Sequence, residues 1–242
     1  MMALEAFEAL GEAGPKYAAL LNTVAMIHSV RGNHALAQAA YQKALPIWRA
    51  SQRTIKLAIT LDNLGISYQA SSNFPSALRC LQEALALLET VGNRLAAINA
   101  QISLGSLYFS MGEFVEAERI FRHQVDVVYL YQTAHLYHLA LTFNNLGNVL
   151  MQQTGRFEEA AGYLERALHE WRNLDNQPLM LANTAGDLAK TLELGDPERS
   201  LSLYDEAITL LSDFPQNPWA ENQRLSLFEQ RQALMTKMGN RP

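Results

Sequence analysis

The chain has 242 residues, of which 49% are hydrophobic and 18% charged, a composition that argues for a folded chain and against disorder. Nineteen basic against twenty-four acidic side chains leave a net charge of −5, which argues against nucleic acid or an anionic membrane surface as partner. No stretch reaches the ~18 uninterrupted apolar residues of a membrane span, and the single cysteine, Cys80, has no partner for an internal disulfide, so a reducing, cytoplasmic setting is expected.

The opening residues, MMALEAFEALGEAG, carry neither a cationic leader nor a long apolar core. The stretch EAFEALGEAGPKYAALLNTVA is similar to the interior LALLETVGNRLAAINAQISLG, which places residues 2–11 where a second helix of a pair would end. From there a small-residue step recurs down the chain. Val24-Ala25 precedes His28, Leu64-Gly65 precedes Tyr68, Leu104-Gly105 precedes Tyr108, Leu146-Gly147 precedes Leu150, and Ala185-Gly186 precedes Ala189, at spacings of 40, 40, 42 and 39. A second pattern runs in phase with it: Ala37/Tyr41/Ala44, Ala77/Leu81/Ala84, Ala117/Phe121/Gln124, Ala160/Leu164/Ala167 and Ser200/Tyr204/Ala207. Five residues before each stands a turn residue, Gly32, Ser72, Gly112, Gly155 or Gly195.

These patterns predict pairs of antiparallel helices. Small residues at the second position of Leu-Gly and at the first Ala of the other signature let two backbones approach, while Leu, Tyr and Phe fill the space between pairs. Apolar residues recur at three- and four-residue spacing and no run alternates like a strand, so the expected fold is all-α. Asp196-Pro197-Glu198 supplies a cap, a first-turn proline and a first-turn acid, and Glu113, Glu158 and Glu159 stand where a helix dipole favours them. The predicted pairs cover about residues 15–50, 52–90, 93–131, 133–173 and 177–213 in one domain spanning 1–242. A terminal helix over 219–238 follows, with Leu227, Phe228, Leu234, Met235 and Met238 as its apolar face. The closing GNRP echoes the interior VGNRL turn, from which further repeats or another domain are expected to follow.

With NLGISY, SLGSLY and EAERIFRHQ in place, the chain resembles the tetratricopeptide repeat family over about residues 15–213. The period near 40 exceeds the common 34, and the closing proline is missing at Arg49, Glu89, Tyr129, Arg172 and Ser212, which together predict longer helices. Long-period versions are similar to those of bacterial signalling ATPases, transcriptional activators and peptide-sensing regulators. The resemblance implies a right-handed superhelical solenoid of about five repeats plus a terminal helix, whose first helices line a concave groove. It also implies a non-enzymatic scaffold that binds a peptide or protein segment as part of a larger signalling or regulatory protein. The alternative is a small-molecule or signal-peptide sensor domain of a transcriptional regulator.

On those first helices, polar residues form rows. The groove set is Asn22, Asp62, Asn63, Asn99, Ser103, Ser106, His138, Asn144, Asn145, Asn148, Gln152 and Asn183. Thr23 and Thr184 continue the row that holds Asn63, Ser103 and Asn145. An Asn side chain donates and accepts at once, so a ladder of amides suits the backbone of an extended peptide. Polar side chains facing solvent account for any single member equally well. Met26 and Ser103 stand where a chaperone-tail clamp would need Asn and a basic residue. His135 and His138 continue the groove face. No third ligand follows at helical spacing, so no metal and no cofactor are expected. His28 is expected to be a packed core histidine. The signatures of nucleotide, metalloprotease, dithiol and serine-hydrolase chemistry are absent, and no catalytic residue is expected. Uncovered repeat faces at the ends predict end-to-end self-association.

Overall fold

The computed structural model of the protein describes residues 14–130 and 136–239. Among these residues there are eleven helices and no strand: α1 Pro15–Val30, α2 His34–Ala50, α3 Thr54–Ala70, α4 Phe74–Thr90, α5 Arg94–Ser110, α6 Phe114–Leu130, α7 Leu136–Met151, α8 Phe157–Arg172, α9 Pro178–Leu192, α10 Pro197–Ser212 and α11 Pro218–Gly239. Residues 2–11, Tyr131 and His135 lie outside the described residues, as does the end of the GNRP stretch. No described helix is long and apolar enough to cross a membrane.

The long period has a direct cause. Helices α3 and α4 each run 17 residues and each is followed by a three-residue connection, which fills the 40-residue spacing. The connections close by left-handed turns at Gly32, Gly92, Gly112 and Gly155, with φ between 65° and 80°. Gln52, Ser72 and Asn176 take the same region without glycine's freedom. At the first turn the Gly32 amide donates to the Ser29 carbonyl and the Asn33 amide to that of His28, so the last carbonyls of α1 are satisfied. Asp196 caps α10 as expected, its Oδ1 accepting from the Arg199 amide at 3.1 Å.

The chain divides into two compact units after Ile120. In the first, Leu21, Tyr41, Trp48, Leu61 and Leu88 form the main core, and Ala77, Leu81 and Leu107 a smaller one beside it. In the second, Leu164, Leu188, Tyr204, Leu211 and Leu227 pack together. Within each unit α2, α4, α8 and α10 each pack on their own first helix and on the helix that follows, and the first helices also touch one another: α1 with α3, α3 with α5, and α7 with α9.

The two sequence signatures meet in space. A methyl group placed on Gly65 would stand 2.7 Å from Leu81 Cγ and 3.3 Å from the Ala77 carbonyl, and on Gly147 it would stand 2.6 Å from Leu164 Cγ and 3.2 Å from the Ala160 carbonyl. In the fifth copy, Ala185-Gly186, the neighbour differs. Gly186 faces Leu227 of α11 rather than a residue of α10.

The terminal helix corrects one expectation. Ala220, Leu227 and Leu234, seven residues apart, are its buried positions, whereas Phe228 and Met235 are exposed. The seam is narrower than the sequence face, because α11 rests on the preceding pair along one line of contact.

Candidate functional site

The first helices carry the polar rows, and the structure sorts those residues into two groups. In one group, side chains one repeat apart hydrogen-bond to each other. Asn22 Nδ2 donates to Thr60 Oγ1 at 2.6 Å, Thr184 Oγ1 donates to Asn144 Oδ1 at 2.7 Å, and Asn148 Nδ2 donates to Asp187 Oδ2 at 2.9 Å. Asn183 adds a second amide to the same Asp187 oxygen at 3.1 Å. Between α3 and α5, Gln69 donates to the Ser106 carbonyl at 3.1 Å and to the Ser110 hydroxyl at 2.9 Å.

The side chains of Asn22, Asn144, Asn148 and Asn183 are therefore engaged within the protein. Asn144 is only 6% exposed. The reason is the close approach of successive first helices, which brings polar side chains one period apart within bonding distance, where leaving them unpaired would cost more than pairing them. Thr60 and Gln69 are partners that reading one repeat at a time misses, and such a reading places Thr184 in a row without its partner. Complementary donors and acceptors separated by one period, as in Asn22/Thr60 and Asn144/Thr184, are the signal that finds them.

Asn144→Ala is accordingly expected to act on stability. It leaves the buried Thr184 hydroxyl without its acceptor, at a cost of about 1–3 kcal/mol. Chemical denaturation checks this, and an unchanged midpoint would show that the bond contributes nothing.

The second group comprises Asn63, Asn145 and Gln152. Asn63 and Asn145 are half-buried and make no side-chain hydrogen bond among the described residues, while Gln152 is exposed. Asn99 is exposed, and its carbonyl accepts from the Ser103 hydroxyl at 3.1 Å. Ser103 and Ser106, with Ile66, Gln69, Ala70, Ile102 and Ser110, line a cavity of about 370 Å³ between α3 and α5. On α3, Ile59, Asn63 and Ile66 share one face by helical spacing. Ile59 is 38% and Ile66 44% exposed, and Met26 of α1 is 53% exposed.

Two carboxyls in these rows are perturbed by burial. Asp187 is pushed above its ordinary value by desolvation, against which Asn148, Lys190 and Asn183 act. Asp62 is pushed up to about 6, again by desolvation, with the neighbouring Ser103 hydroxyl opposing it. Unlike Asp187, Asp62 has no amide donor. Its Oδ1 is sealed from solvent without a hydrogen-bond partner.

The histidines are less informative. His138 is half-buried on α7, its ring edge-on to Tyr137 at 5.6 Å, and Tyr137 in turn lies edge-on to Trp171 at 5.2 Å. His28 is also half-buried rather than fully packed. Among the described residues no three His, Cys, Asp or Glu side chains are grouped as a metal site would need.

Comparison with known proteins adds the family. A model of the tetratricopeptide repeat matches residues 16–90, 56–127 and 138–213. The kinesin light chain-related protein 1 of Arabidopsis thaliana is 24% identical over 219 residues, which is 86% of this chain. The chain spans about a third, 35%, of that relative's length. Among solved structures, NprR in complex with its cognate peptide NprX superposes with a TM-score of 0.72 at 16% identity, over 98% of this chain and 71% of that one. A Rap protein complexed with competence and sporulation factor superposes with a TM-score of 0.70 at 14% identity, over 90% of this chain and 65% of that one. At such identities the likeness is one of fold.

Proposed function

This chain belongs to the tetratricopeptide repeat family, and we propose that it is a non-enzymatic interaction module that captures a peptide or an extended protein segment on the face of its first helices. The observation that carries this reading is the α3 face, where the amide of Asn63, unbonded among the described residues, sits between the exposed Ile59 and Ile66. An amide between two apolar positions suits a peptide, because it can pair with a backbone unit while neighbouring side chains bury against the isoleucines. Two of the structural neighbours were solved with peptide or factor bound, which supports a ligand of the same kind.

A compact small-molecule effector around Asn144, Asn145 and Asn148 has weaker support, since Asn144 and Asn148 are bonded to Thr184 and Asp187. A cytoplasmic setting and a regulatory role within a longer protein fit this reading.

The experiment replaces Asn63 and Asn145 together by Ala and measures capture of partners from a native extract, with thermal melting followed by circular dichroism. Each lost hydrogen bond removes about 0.5–1.5 kcal/mol of binding, so capture is expected to fall roughly tenfold or more while the melting curve is unchanged. If the folded double variant keeps every partner, the first-helix face is not the binding surface.

A further inference from the structure

Asp62 is out of place in a structural row. The other acid of these rows, Asp187, holds two amide donors. Asp62 has none, no ion pair among the described residues includes it, and its Oδ1 is closed off from water. A carboxylate in that position is costly unless a cation pairs with it. Its surroundings are also open to an incoming chain. Ile59 and Ile66 flank it at three and four residues along the same face of α3, both substantially exposed. Ser103, whose hydroxyl acts on the carboxylate by hydrogen bonding, forms part of the wall of the 370 Å³ cavity between α3 and α5.

We propose that Asp62 anchors a basic side chain, so that the segment captured on the first unit carries a lysine or arginine next to an aliphatic residue. This rests on the peptide-capture reading above and names the class of its ligand. The aliphatic side chain enters the cavity against Ile66 and Ile102, and the ammonium or guanidinium donates to the Asp62 carboxylate. A charge-assisted bond of that kind is stronger than one between neutral groups, and it supplies a cation to a desolvated anion that the free protein pairs only with the Ser103 hydroxyl. A divalent metal is a poorer occupant, because the cavity wall offers serine hydroxyls, the Gln69 amide and alkyl chains but no carboxylate, which leaves Asp62 as the single anionic ligand at hand. The net charge of −5 favours the approach of a cationic segment.

The test screens the whole chain and its Asp62→Asn variant against an immobilised array of short acetylated random peptides. The strongest binder is then measured in solution beside its analogue with norleucine in place of lysine. Wild-type binders are expected to be enriched in lysine or arginine beside an aliphatic residue. The norleucine analogue should bind wild type at least about tenfold more weakly and the Asp62→Asn variant no differently from the parent peptide. Peptides that bind without any basic preference, or a basic preference that survives Asp62→Asn, would overturn the anchor and leave peptide capture standing. A wild-type protein that binds no peptide on the array would overturn both.

Discussion

Gly147→Leu is expected to destabilise the second unit by about 3 kcal/mol or more, the upper range for overpacking a closed core. The added Cβ alone would sit 2.6 Å from Leu164 Cγ and 3.2 Å from the Ala160 carbonyl, and Leu164 is completely buried, so it has nowhere to withdraw. Helices α7 and α8 would have to separate, which opens the core around Phe143, Leu146 and Leu168. For a unit of this size each 1 kcal/mol corresponds to roughly 3–6 °C in the midpoint, so calorimetry should show a fall on the order of 10–15 °C. Gly65→Leu should do the same to the first unit through Leu81, whose Cγ lies 2.7 Å from the added atom. The comparison that isolates packing is Gly162→Ala. That glycine is also helical, but an added methyl meets nothing within 4 Å. Helix propensity then acts alone, and a gain of about 0.5–1 kcal/mol is expected. If Gly147→Leu melts with wild type, the helices of a pair do not approach as closely as the structure shows.

Asp62→Asn is expected to stabilise the fold at neutral and alkaline pH by about 1–3 kcal/mol. Burial raises the folded-state pKa from 3.8 to about 6, and a tenfold change in proton affinity corresponds to about 1.4 kcal/mol before solvent relaxation reduces it. Proton binding sets the sign. Between pH 4 and 6 the folded protein holds a proton at Asp62 that the unfolded chain has lost, so stability falls as pH rises through this window. The cost is fully present above the folded pKa and absent below the unfolded one. Denaturation curves of the two proteins should therefore separate at pH 8 and converge near pH 4, and a constant difference across that range would mean that Asp62 is not the titrating group. A substitution that stabilises the fold and impairs peptide selection is what a residue kept for binding would show.

The architecture was legible in the sequence because its determinants are local. The turn residues at Gly32, Ser72, Gly112 and Gly155, the cap at Asp196 and the small residues at Gly65 and Gly147 each act within one pair, and all recur at the period that two 17-residue helices require. The candidate site was legible only as a set of positions. Asn144 and Asn145 are adjacent and chemically identical, yet one is buried and accepts from Thr184 while the other makes no side-chain bond among the described residues. Likewise Asp62 and Asp187 stand in related rows, but only Asp187 has amides within reach. Which polar groups are spent between repeats depends on how closely helices about 40 residues apart approach and on the ~100° turn between successive helical residues. Those distances are set when the backbones pack, and only the tertiary structure fixes them.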